Sequence, residues 1–73
     1  MIKVGQIYQT ERLEILLITR VIGIHFHIIT TSGMTEEFND NSDEGVFHYW
    51  KLIAEYPTWQ EAVNSKEFKV GEK

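Results

Sequence analysis

Tyr56-Pro57-Thr58-Trp59-Gln60-Glu61 is the stretch in which extended chain turns into helix. Pro57 fixes its own φ and disfavours a helical backbone at Tyr56. Thr58 is placed to accept a hydrogen bond from the N–H of Glu61, and Glu61 to reach back to the N–H of Thr58, a T-x-x-E capping box. The chain before this junction (2–56) reads as β. The chain after it reads as one short helix over about 58–68, with Trp59, Ala62 and Val63 on one face. The spacing predicts that Trp59 closes one side of the core.

Leu13 to Ile24 is the core strand of the β body. Leu13, Ile15, Leu17, Thr19 and Val21 alternate with Glu14, Leu16, Ile18, Arg20 and Ile22, and the β-branched content argues against a helix. Gly23 marks a turn into a second strand, His25 to Thr31. Thr31-Ser32-Gly33-Met34 is a hairpin turn, after which Thr35 to Phe38 pairs back. Ile2 to Thr10 reads as a first strand bent at Gly5, Thr10-Glu11-Arg12 as a polar connection, Val46 to Trp50 as one turn of helix or 3₁₀, and Trp50 to Tyr56 as a last strand with Leu52, Ala54 and Tyr56 on one face. Four or five short strands and one helix predict a mainly β (α+β) fold. It would be a small antiparallel sheet curled into an SH3-like partial barrel with one C-terminal helix. A flat meander crossed by the helix is the competing architecture.

The chain has 73 residues, which suits a single domain (1–73) near the lower limit for unaided folding. With no cysteine, the core must be apolar, and 42% hydrophobic and 12% aromatic residues suffice for one. The net charge of −4 disfavours broad phosphate binding. No apolar run is long enough to span a bilayer, and the first residues hold no signal-peptide core, so a soluble cytoplasmic protein is expected.

Trp50 to Phe68, WKLIAEYPTWQEAVNSKEF, resembles the C-terminal segment of small uncharacterised proteins of Gram-positive bacteria and their phages. That resemblance covers the last third of the chain. It implies a cytoplasmic accessory protein of prophage origin, and it brings no activity, ligand or catalytic residue with it.

Several constellations bear on chemistry. His25 and His27 form an H-x-H pair whose imidazoles share a strand face, weak candidates for a metal with His48 as a third ligand. A solvent-facing pair is the simpler reading, and no metal or other cofactor is expected. A Ca²⁺ loop starting at Asp40 would put Lys51 where a bidentate Glu is required. The acidic run Glu36, Glu37, Asp40, Asp43 and Glu44 therefore reads as a solvated loop, or as an acidic surface toward a basic partner, since Val21 to Trp50 holds no Lys or Arg. Ser32, Ser42 and Ser65 lack a nucleophile-elbow context, and no glycine-rich phosphate loop occurs. An enzyme is not expected.

Aromatic side chains carry the most binding potential. Phe47, Tyr49, Trp50, Tyr56 and Trp59 crowd a short window, more than so small a core can enclose. Phe47, Tyr49, Trp50 and Lys51 are the candidate binding residues, facing an extended peptide or, alternatively, the bases of a single strand. The expectation is a non-enzymatic accessory module with a protein partner, monomeric or weakly self-associating. A nucleic-acid-binding SH3-like or OB-like domain is the rival. Arg12, Arg20 and Lys51 on one face beside Tyr49 or Trp50 would favour that rival.

Overall fold

A computed structural model describes residues 2–39 and 49–69. Strands β1 (Gln6–Gln9), β2 (Ile15–Ile22), β3 (His25–Thr30), β4 (Thr35–Asn39) and β5 (Lys51–Glu55) precede helix α1 (Trp59–Val63). The strands form one antiparallel sheet in the order β4-β3-β2-β1-β5. No pairing joins β4 to β5 among the described residues, so the sheet is open. No helix among the described residues is long and apolar enough to cross a membrane.

β2 lies at the centre, and Leu16, Leu17 and Ile18 are all buried in succession. Consecutive strand residues point to opposite faces, so both faces of β2 must be covered. On one face, Ile7 and Leu17 pack with Ala62 and Phe68, flanked by Ile15, Ile29, Ile53, Ala54, Tyr56 and Val63. On the other, Leu16, Ile18, Phe26 and Ile28 pack with Ile2, Tyr8, Phe38 and Trp50. The second face is concave. The Trp50 ring centroid lies 5.5 Å from that of Phe38 on β4 and 5.9 Å from that of Tyr8 on β1. Trp50 thus bridges rings on β1 and β4, strands three places apart in the sheet order.

Two register shifts interrupt the pairing, and at each an extra residue sharpens the local twist. Between Ile18 and Arg20 the β2–β3 register shifts, and the Thr19 hydroxyl donates to the His27 carbonyl at 3.4 Å. The alternation expected along β2 therefore holds only to Ile18. Beyond the bulge, Val21 pairs with Phe26 and Arg20 with His27. A second shift, between Ile7 and Tyr8, leaves Ile53 unopposed in β5, so that Ile53 and Ala54 are both half-buried rather than on opposite faces.

The ends of the elements differ from expectation in four places. Leu13 is not in β2; it is 72% exposed with φ 67°, in the loop before the strand. β1 starts only at Gln6, after a turn at Val4 and Gly5. Helix α1 covers five residues rather than the stretch to 68, because Asn64 leaves helical geometry (φ −95°, ψ 4°). Trp59 does not seal the core. It is the first helical residue and is 40% exposed, while Ala62 one turn on and Phe68 beyond the helix do the sealing.

The junction is otherwise as expected. Thr58 is the N-cap, and its Oγ1 accepts from the Glu61 N–H at 3.2 Å; the return bond from the Glu61 side chain is not formed. Gly5 lies against this junction with φ +95°. A Cβ there would stand 2.1 Å from the Tyr56 carbonyl oxygen, so only glycine lets the strand ends meet. The tail is fastened by the Tyr56 hydroxyl, which donates to the Glu67 carboxylate, and by Ser65 Oγ, which donates to the Ala62 carbonyl at 2.6 Å. Hydrogen bonding from Tyr56 holds the Glu67 carboxyl below its ordinary range, and the same bond raises the Tyr56 phenol.

Candidate binding groove

In an antiparallel sheet of this order, the end of β1, the start of β2, the end of β3 and the starts of β4 and β5 all meet at one end. Two loops there are built alike. In the first, the Thr10 N–H donates to the Glu14 carbonyl at 2.9 Å and the Leu13 N–H donates to the Thr10 carbonyl at 2.9 Å. In the second, Thr30 and Met34 make the first of these bonds at 2.8 Å, and Gly33 and Thr30 the second at 2.9 Å. In each loop the threonine Oγ1 also accepts from the N–H four residues on, Glu14 or Met34, at 3.2 Å. In each, the fourth residue has positive φ, 67° at Leu13 and 92° at Gly33. This is the pattern of a three-residue hairpin loop closed by a left-handed residue.

Between these loops the concave face opens as a cavity of about 380 Å³, within the size range of ordinary ligand sites. Its floor is Leu16 and Ile28, both buried, and its walls include Phe38 and the Trp50 indole. Met34 and Tyr49 stand at the mouth, 60% and 62% exposed. Trp50 is held edge-on to Phe38 and Phe26, with both interplanar angles 88°. The charged groups of the lining are Glu11, Glu14 and Glu36 against Arg12 alone. Glu11 and Glu14 come from the first loop. Glu36 comes from β4 opposite Ile28, so acidic groups flank the apolar floor on two sides.

Of the residues singled out from sequence, Tyr49 and Trp50 line this groove. Lys51 does not; it is exposed on β5 opposite Gln9. Phe47 and His48 lie outside the described residues, as do most of the predicted turn from Val46 and the loop from Asp40 to Glu44. His25 is exposed, its Nδ1 3.4 Å from a Glu37 carboxylate oxygen, and His27 pairs with Glu37 across β3 and β4. No cluster of three or more His, Cys, Asp or Glu side chains placed to hold a metal occurs among the described residues. Sequence reasoning missed Met34, Phe38 and Glu36 as groove residues. The available signal was the i, i+2, i+4 set Met34, Glu36, Phe38, which puts all three on one strand face.

The cations do not gather. Arg12 lines the groove, whereas Arg20 sits near the far end of β2 opposite His27, roughly 17 Å along the strand from Ile15. No protein-family model, no curated protein and no solved structure matches the chain.

Proposed function

We propose that this chain is a small non-enzymatic binding module of SH3-like, partly closed barrel form. It acts in the cytoplasm as an accessory protein by docking an extended segment of a protein partner in the concave groove. The observation carrying this reading is the groove itself, in which an aliphatic floor and aromatic walls lead to a mouth left open at Met34 and Tyr49. An apolar side chain entering it would displace water from Met34, Tyr49 and the open part of Trp50, worth about 25 cal/mol per Å² covered. Exposed aromatic anchors beside such a pocket are the usual centre of a recognition surface. The partly closed barrel form is supported by five short antiparallel strands and by Trp50, which bridges rings on β1 and β4. The prophage setting rests on the resemblance of Trp50 to Phe68 alone. The acidic lining and the scattered Arg12, Arg20 and Lys51 favour a protein over a nucleic acid.

Selection from a random peptide display library tests this reading. Enriched peptides should lose at least tenfold in affinity on Tyr49→Ala combined with Met34→Ala, substitutions at exposed positions that leave the core intact. Peptides indifferent to the combined change, or no enrichment at all, would contradict it.

A further inference from the structure

Building on that reading of the groove, we propose that its partner segment is basic, a single apolar side chain flanked on both sides by Lys or Arg. The division of chemistry within the groove carries the inference. Leu16 and Ile28 at the bottom are 4% and 1% exposed and carry no polar side-chain atom, so the floor offers an incoming charge no hydrogen bond. The deep subsite therefore takes an aliphatic or aromatic group. The charges belong to the rim, where Glu11, Glu14 and Glu36 face one Arg12. Glu11 and Glu14 stand on the β1–β2 loop and Glu36 on β4, so a segment seated across the groove meets a carboxylate on either side of its anchor. The guanidinium of Arg12 forms no ion pair among the described residues, which leaves the three carboxylates available to an incoming cation. Phosphate and acidic peptides would meet like charge at the same positions.

Three nine-residue peptides with a central Phe and flanks of Lys, Gln or Glu separate the possibilities. They are titrated against the full-length Trp59→Phe protein, in which Trp50 is the one remaining indole and reports on the groove. The Lys-flanked peptide should bind about tenfold tighter than the Glu-flanked one, as a few exposed ion pairs allow, and lose that margin in 0.5 M salt. The triple substitution E11Q/E14Q/E36Q should erase the margin, read as the ratio of the Lys-flanked to the Glu-flanked affinity in the same variant. Equal binding of all three peptides would overturn the selection for cations while leaving the groove reading in place. So would a Lys-over-Glu margin that survives the triple substitution. Silence from all three, or tighter binding of a single-stranded oligonucleotide at Trp50, would overturn both.

Discussion

Single residues decide how the two faces of the sheet are closed. Phe68 is 1% exposed and packs with Ile7, Leu17 and Ala62, whereas Trp59 is 40% exposed. Phe68→Ala should therefore cost about 3–5 kcal/mol, a large share of the roughly 4–11 kcal/mol a chain this size holds. Trp59→Ala should cost under about 1 kcal/mol. Chemical denaturation of the two variants side by side checks the order. Leu13 adopts a left-handed backbone (φ 67°) with little burial to offset it, so Leu13→Gly should stabilise by about 0.5–1 kcal/mol in the same assay. The Tyr56–Glu67 bond adds a pH signature. Glu67 has a depressed folded pKa, so its contribution is present above its ordinary value of 4.5 and is lost as pH falls through the folded value. Tyr56 has a raised one, so its contribution is complete below 10.0 and is lost as pH rises through the folded value. Melting curves of wild type and Tyr56→Phe should thus differ most from mild acid to mild alkali and converge at both extremes. A gap unchanged in acid would remove the carboxylate from the account.

At the scale of elements, the hairpin loops matter more than the helix. Thr10 and Thr30 occupy equivalent places, each accepting from the N–H four residues on. Thr30→Ala should loosen the β3–β4 loop, and Thr10→Ala the β1–β2 loop. Each should cost about 1 kcal/mol and raise amide exchange locally at Glu14 or Met34. Much of this level was legible. The turns at Gly23 and Gly33, the three-strand meander and the Thr58 cap followed from residue types whose local chemistry admits few alternatives. The loop at Thr10 was legible as a polar connection over Thr10-Glu11-Arg12, but its reach through Leu13 to Glu14 was not, because its left-handed position carries Leu13 instead of glycine and so reads as strand. The bulges at Thr19 and Ile53 were hidden for a related reason. An apolar run gives the same burial pattern with or without an extra residue when both faces of the sheet are covered. The sequence pattern over-extends the helix because no proline or glycine follows before Gly71; Phe68 would lie about 180° round from Trp59 on a continued helix and is instead buried from a turn beyond the helix end.

The whole molecule is an open antiparallel sheet with a covered face and an accessible one. Ala62, Val63 and Phe68 cover one side, while the other keeps a groove beside Trp50. Tyr49 and Trp50 were recognisable in the sequence as surplus aromatics. The floor under them was not, because Leu16 and Ile28 come from strands whose meeting depends on register rather than on any local motif. Of the acidic rim only Glu36 was visible, within a stretch free of Lys and Arg; Glu11 and Glu14 lie outside that stretch. The rim's placement on two sides of one cavity is a property of the fold. Binding at that cavity is the claim on which the functional account stands, and amide chemical-shift mapping of the labelled protein with the Lys-flanked Phe peptide tests it most directly. Perturbations should concentrate at residues 10–16, 28–38 and 49–50. Shifts confined instead to the β5 edge near Leu52, to the hairpin tip at Ile22 and Ile24, or to Trp59 would contradict it.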